Sequence, residues 1–296
     1  MFLRELQNRF TDAFRFSLRV CGYEHPFPRI DISQKTLSDL SLVGKHFHFS
    51  IGIKKVVYAV SDPNPIAAGG GEYLRASGID VEQGLSESEA AFDNRAWLTK
   101  IAKERPRITW KIASTMDGKV ATADGTSKWI TSELARADVA LLRSQSDAIV
   151  TSTATVKADN PLLTSKGAGK NPVRIVMGRS EIAASSQILN SDAETVVIKS
   201  RDLEEVITLA KARGFNQLLI ESGPTFGTAL LKAGLIDEVI LYQAPTFFGS
   251  GTPSISDLGV ATISQRLDFE IADVEVIGAD LKITLSKSAN QEEGGR

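Results

Sequence analysis

From residue 107 onward, short apolar runs alternate with segments of helical period, and that alternation restricts the chain to an α/β architecture. Arg107–Ala113, Asp147–Thr151, Val173–Met177, Thr195–Ile198, Gln217–Ile220 and Glu238–Gln243 read as strands, and two more close the region near 268–276 and 280–285. Ser132 is placed to cap a helix running to about Gln145, with Glu133 in its first turn. Asp202 and Glu205 have the spacing of a capping box, and Leu203, Val206, Ile207 and Ala210 continue as an amphipathic stripe. Phe226–Ala233 supplies a further helix. In α/β sheets ligands bind beyond the C-terminal ends of the strands, so the loops that follow these runs are where chemistry is expected.

Upstream, Lys55–Val60 and Gly78–Val81 read as strands, with a short helix around Glu72–Ala76 after the Gly69–Gly71 run. One helix is predicted from about Ser86 to Lys103, carrying Ala90, Ala91, Trp97 and Ile101 on its apolar side. Pro106 punctuates the chain, and the domain boundary is placed there, giving 1–105 and 106–287. Residues 1–50 lack clean periodicity, and the tail 288–296 is expected to be disordered.

The rare residues narrow the chemistry. His25, His46, His48 and Cys21 all lie in the first 48 positions, so the larger part has no histidine base, cysteine nucleophile or soft metal ligand. Their spacing matches no standard zinc pattern, so no zinc or other metal is expected. A formal charge of -2 gives no footprint for nucleic acid or an anionic membrane. No apolar run approaches the roughly 18 residues of a membrane span, and Arg4, Glu5, Arg9 and Asp12 interrupt any signal-peptide core. A single cysteine fits a cytoplasmic setting.

Three strand-end loops concentrate polar groups. The first breaks at Asp117-Gly118 and Asp124-Gly125 and delivers Ser127, Lys128 and Trp129 just before a helix; an ordinary hairpin and loop fits the spacing equally well. The second, Thr151–Thr164, offers Thr153 and Thr155 to a phosphate or ribose and Asp159 to a ribose hydroxyl or amide; a capped short helix ended by Pro161 competes with that reading. The third, Glu221-Ser-Gly-Pro-Thr-Phe-Gly227, sets a carboxylate at a strand end and a helix N-terminus behind Gly223, an arrangement suited to phosphate. It is not the dinucleotide Gly-x-Gly-x-x-Gly pattern. Three such loops in one α/β region favour a nucleotide-like ligand, and the missing histidine and cysteine fit a reaction whose hard step belongs to a nicotinamide.

At these residues the sequence resembles the bacterial bifunctional riboflavin-biosynthesis deaminase/reductase family. The motifs are Lys111-Ile-Ala-Ser-Thr-Met-Asp-Gly-Lys119, Ser127-Lys-Trp-Ile-Thr131, Leu142-Arg-Ser-Gln-Ser-Asp-Ala-Ile149, Thr153-Ala-Thr-Val-Lys-Ala-Asp-Asn-Pro-Leu-Leu-Thr164, Glu221-Ser-Gly-Pro-Thr225 and Ala244-Pro-Thr-Phe-Phe-Gly-Ser-Gly251. The resemblance implies a dihydrofolate-reductase-like α/β domain, preceded by a remnant of a cytidine-deaminase-like α/β domain carried by Ser61–Pro65 and Ala76–Val81. It implies that Ser127, Arg143, Leu163 and Glu221 are substrate positions, with Arg143 gripping a phosphate through its fork. Lys166 stands where the family often has a substrate arginine. Ala113, Trp129, Thr155, Asp159 and the loop Gly223, Pro224, Thr225, Phe226, Gly227, Thr228 and Ala229 are implied cofactor positions. Arg179, where many members have serine, is a candidate for the 2′-phosphate of NADP. Lys111, a cation on an apolar strand, is a further substrate candidate, and Asp159 is a candidate catalytic residue.

The resemblance thus implies NADPH-dependent reduction of the ribosyl group of 5-amino-6-(5-phosphoribosylamino)uracil, a phosphoribosylaminopyrimidine, by a homo-oligomer. The family deaminase needs a His-x-Glu motif and a Pro-Cys…Cys pair, and neither occurs, so no deaminase activity is expected. The competing readings are reduction of the diaminopyrimidine precursor before deamination, and a catalytically silent nucleotide-binding remnant.

Overall fold

The structure, a computed structural model, describes residues 54–65 and 68–287. The readings made for residues 1–50, including Cys21, His25, His46 and His48, and for the tail 288–296 lie outside the described residues. The chain divides into two compact units between Leu98 and Thr99.

In the first unit, β1 (Lys55–Tyr58) and β2 (Asp80–Gln83) pair in parallel, with Lys55 opposite Asp80 and Tyr58 opposite Gln83. Parallel neighbours need a long crossover, and α1 (Gly70–Ala76) lies within it, burying Leu74. The helix predicted over 86–103 is two helices, α2 (Glu87–Asp93) in the first unit and α3 (Arg95–Lys103), whose residues span the division at Leu98 and Thr99. Asn94 separates them. Its side-chain amide donates to the Ala90 carbonyl at 2.9 Å, the same acceptor its own backbone N–H uses, and such local side-chain bonds compete with the helix ladder.

The second unit is built on an eight-stranded sheet of β3 (Arg107–Thr115), β5 (Ala148–Ser152), β6 (Val173–Met177), β7 (Thr195–Ile198), β8 (Gln217–Ile220), β9 (Glu238–Ala244), β11 (Phe269–Ile277) and β12 (Asp280–Lys287), in the order β11-β12-β9-β3-β8-β5-β6-β7. The six strands from β9 to β7 run parallel, and β12 and β11 continue the sheet as an antiparallel hairpin. Two short strands, β4 (Lys119–Ala121) and β10 (Thr252–Pro253), pair outside it. The central parallel strands are rich in apolar residues because both faces are covered. On one face Ile108, Trp110, Val150, Leu218 and Ile220 pack against α6 (Leu203–Ala212) and α7 (Pro224–Lys232). On the other, Ile149 and Leu219 pack against Val156 of α5 (Thr153–Asp159), while Ile240 and Tyr242 pack against Ala135 and Val139 of α4 (Glu133–Ser144). Each fully buried large apolar side chain contributes roughly 1.5–3 kcal/mol. This is the α/β architecture expected from residue 107 onward.

Register creates the one irregularity that matters for function. β8 stops at Ile220, opposite Trp110 of β3 and Val150 of β5. β5 continues to Ser152, and β3 continues to Thr115, paired there only with β9. Neighbouring strands are about 4.8 Å apart, so β3 and β5, with β8 between them, stand about 10 Å apart. Beyond Ile220 the chain turns towards β5: the Glu221 N–H donates to the Val150 carbonyl at 3.0 Å and the Gly223 N–H to Thr155 Oγ1 at 3.1 Å. Lys111–Thr115 are left without a strand partner on that side among the described residues.

Candidate active site

The floor of this slot is charged. Glu221 follows β8 on the same face as Leu219, and Lys111 lies one residue beyond Trp110, next to it in register. Lys111 Nζ pairs with Glu221 Oε2 at 3.6 Å. Arg143, near the end of α4, donates from Nε to Glu221 Oε1 at 2.6 Å, from Nη2 to Oε2 at 2.9 Å, and from Nη1 to the Thr164 carbonyl at 3.1 Å. Burial of Glu221 works against its charge, but the fields of Arg143 and Lys111 prevail and hold its carboxyl at about 2. Burial likewise opposes the Arg143 charge, and Glu221 raises its pKa. Glu221, Lys111 and Arg143, three of the expected substrate residues, therefore form one cluster. The Arg143 fork, expected to grip a phosphate, is instead engaged by Glu221 and Thr164.

The wall beyond Glu221 is a mesh of hydroxyls. Ser152 caps α5 by accepting from the Thr155 N–H at 3.2 Å, and Thr155 Oγ1 lies 3.1 Å from Ser222 Oγ. The short capped helix and the polar loop weighed for 151–164 are one structure, because Ser152 ends β5 and begins α5. Asp159 closes α5 with its carbonyl bonded by Lys128 Nζ at 2.8 Å. Ser127 and Trp129 flank that lysine, Ser127 half-buried and Trp129 67% exposed. The first and second loops are thus brought together.

Other expected site residues stand differently. Leu163 is buried at a φ of 50° in the cluster of Ile149, Val156, Val176, Ile188 and Leu219, so its side chain is core and only its backbone is left for a ligand. Lys166 is exposed at the loop surface. Arg179 is exposed just past β6. Ala113, half-buried on β3, packs against the cluster under α4. In the third loop Gly223 is the N-cap of α7, and no side chain caps that helix. Pro224 carries no N–H, Thr225 and Ala229 are exposed, and Phe226 packs partly into the core. Gly227 is a packing residue: a Cβ there would lie 2.1 Å from Trp110 Cε2. Thr228 is buried and accepts from the Ser256 N–H at 2.9 Å.

Three features escaped sequence reasoning. Asp117, read only as a turn residue, accepts from Thr115 Oγ1 at 2.5 Å, the Phe248 N–H at 3.2 Å and the Gly249 N–H at 2.7 Å, tying the β3 turn to the Ala244–Gly251 motif. Those bonds hold its carboxyl below the usual range, the Thr115 bond most of all. Tyr242, fully buried beside Ala113, donates to Asp138 Oδ2, and Asp138 also pairs with Lys282 at 3.1 Å. Burial and Asp138 push the phenol up. Thr151 Oγ1, on the face that carries Glu221, is buried with no hydrogen-bond partner among the described residues. A carboxylate in a turn and a tyrosine in a strand carry no spacing signal for such long-range partners; the recurrence of Asp117 and 244–251 among the family motifs was the available hint.

The N-terminus of α7 leaves room for a phosphate group. It has no side-chain cap, and the Gly223 Cβ position meets nothing nearer than Thr155 Oγ1 at 3.9 Å. Among the described residues no group of three or more His, Cys, Asp and Glu side chains is placed to hold a metal.

The RibD C-terminal domain family matches residues 106–283. The chain is 40% identical over 236 residues to the riboflavin biosynthesis protein RibD of Mycobacterium tuberculosis, covering 78% of this chain and 69% of that protein. It is 38% identical over 258 residues to RibD of Aquifex aeolicus, covering 78% and 72%. A Thermotoga maritima diaminohydroxyphosphoribosylaminopyrimidine deaminase/5-amino-6-(5-phosphoribosylamino)uracil reductase superposes with a TM-score of 0.72 at 28% identity, over 80% of this chain and 72% of that one. Acinetobacter baumannii RibD superposes with a TM-score of 0.71 at 32% identity, over 79% and 73%. The family match spans more than half of the chain, and with it the slot, Lys111, Arg143 and Glu221: the chain belongs to the RibD C-terminal domain family, the reductase part of the riboflavin-biosynthesis RibD proteins.

Proposed function

We propose that the chain reduces 5-amino-6-(5-phosphoribosylamino)uracil to its ribityl counterpart with NADPH. The observation that carries this reading is the Lys111–Glu221–Arg143 cluster at the C-terminal slot of a RibD-family sheet. NADPH, when bound, supplies the hydride that reduces the opened sugar's carbonyl or imine carbon. Glu221, held ionised by two cations, accepts hydrogen bonds from substrate hydroxyls and fixes Lys111. Lys111 presents its ammonium beside Glu221, placed to donate to the sugar oxygen. Thr155, the α7 N-terminus and Ser222 form the anion-binding wall suited to the cofactor phosphates. Asp159 orients the cofactor or supplies the proton, and Arg179 meets the 2′-phosphate. Lys166 supplies charge to the substrate phosphate from the surface.

The only cysteine of the 296 residues is Cys21 and no His-x-Glu triplet occurs, so the zinc-deaminase ligand set is missing from this sequence and the proposed activity is reduction alone. No helix among the described residues is long and apolar enough to cross a membrane. We place the enzyme in the cytoplasm, as a homo-oligomer.

Steady-state oxidation of NADPH by the full chain, with the aminouracil and the diaminopyrimidine assayed side by side, tests this. Turnover of the aminouracil is expected. Preference for the diaminopyrimidine would move the reaction before deamination. No NADPH oxidation by folded protein would overturn the reductase reading in favour of a silent binding remnant.

A further inference from the structure

We propose that Arg136 is a positioning residue for this site: it holds the indole of Trp129 from one side, leaving the other as a stacking platform for a flat heteroaromatic ring of a bound ligand. The proposal rests on the reductase reading for its ligands, but on this chain's geometry for the platform. Arg136 lies in the first turn of α4, and its guanidinium sits 4.7 Å over the centroid of the Trp129 ring. Its Nη1 donates to the Thr131 carbonyl at 2.6 Å, which fixes the cation between helix and loop.

An indole has the largest apolar surface of any side chain, and burying it is strongly favourable. Trp110 follows that rule at 1% exposed, yet Trp129 stays 67% exposed. The loop does not let it collapse. The Thr122 N–H donates to the Thr126 carbonyl at 3.0 Å, and Asp124 Oδ1 accepts from the Thr126 N–H at 2.9 Å, a side-chain-locked turn. The preceding residue, Lys128, reaches across to the Asp159 carbonyl at 2.8 Å. The ring is therefore tied on both sides, to α5 through Lys128 and to α4 through Arg136. One face lies under a cation, where the ring quadrupole favours it, and the remaining surface is open. A tethered, one-faced aromatic beside Ser127 and Asp159 suits a planar, electron-delocalised ring: nicotinamide, adenine or pyrimidine.

The full chain distinguishes these through its own tryptophan emission. Wild type and the variants R136A, R136K and W129L are titrated with 2′,5′-ADP, reduced nicotinamide mononucleotide and the phosphoribosylaminouracil, and then assayed for turnover. One ring-bearing probe is expected to quench wild type, and the response to vanish in W129L. R136A is expected to weaken that probe roughly two- to fivefold, the equivalent of an exposed cation–π contact. Its KM for the ligand carrying the ring rises by the same factor while kcat stays within about twofold. R136K, which keeps the charge, recovers most of the affinity. Wild-type affinity in R136A, no recovery in R136K, or no probe that reports through Trp129 overturns the proposal. Quenching without any NADPH oxidation leaves the platform standing and removes the reductase reading instead.

Discussion

Arg143 and Glu221, 78 positions apart in sequence, are joined by two parallel hydrogen bonds of 2.6 and 2.9 Å that fasten the end of α4 to the end of β8. A buried pair of this kind loses more when one partner is removed than the pair itself contributes, because the survivor keeps its charge without compensation.

The first prediction concerns acid. The Glu221 carboxyl is held at about 2, below its ordinary 4.5, so its contribution is fully present above 4.5 and is lost as pH falls towards 2. The shift corresponds to about 3 kcal/mol at neutral pH. Urea unfolding at pH 7, 5 and 3 is expected to show wild type losing about 2 kcal/mol more than Glu221→Gln over the range, the remainder of the contribution going only below pH 3. Parallel curves would contradict it. At pH 7, Glu221→Gln itself is expected to cost about 3 kcal/mol or more, since it leaves Arg143 without its counter-charge.

The second concerns Gly227. A Cβ there would lie 2.1 Å from Trp110, which is 1% exposed and cannot withdraw. Gly227→Ala is expected to destabilise by about 3 kcal/mol or to prevent soluble expression, overpacking at its worst. A folded variant with an unchanged unfolding midpoint would show that the helix can shift outward.

The third concerns Thr151, whose buried hydroxyl has no hydrogen-bond partner among the described residues. Thr151→Val keeps the shape and removes the unsatisfied group, so stability is expected to rise by about 1 kcal/mol. A fall in the midpoint would mean that an ordered water satisfies the hydroxyl.

The fourth concerns Lys166, exposed on the loop after α5. If it meets the substrate phosphate as a point charge, Lys166→Ala raises KM for the aminouracil several-fold with kcat little changed, and the effect shrinks as salt is added. An unchanged KM at low salt removes that role.

Strands such as Val173–Met177 and Gln217–Ile220 were legible to the residue because a strand inside a parallel sheet, covered on both faces, is mostly apolar, and polar loop residues bound it sharply. The helix over 86–103 was misread as one because its period continues across Asn94, and only the amide bond to Ala90 interrupts it. Ser132 announced its helix, since capping is local chemistry. The site was legible as loops but not as partnerships. Arg143 reads as a phosphate ligand through the family resemblance, and only a contact across 78 residues shows it engaged by Glu221. Leu163 belongs to the same motif as Asp159, yet its φ of 50° turns it into the core. Asp117 and Tyr242 have no signal in spacing at all.

The early end of β8 gives the recess a fixed gauge. Its width is set by hydrogen-bond spacing in the sheet, so it is as wide as the single strand missing from it and resists being stretched or narrowed by surface substitutions. A flat molecule entering that space takes the place of a strand. On the β3 side the first thing it meets is main chain, whose donors and acceptors no point mutation deletes short of proline. Tolerance to sequence change is therefore expected to be uneven around the recess, greatest in the loops that decorate its rim and least where a new residue would lengthen the pairing of β8 with β3 and close the gap.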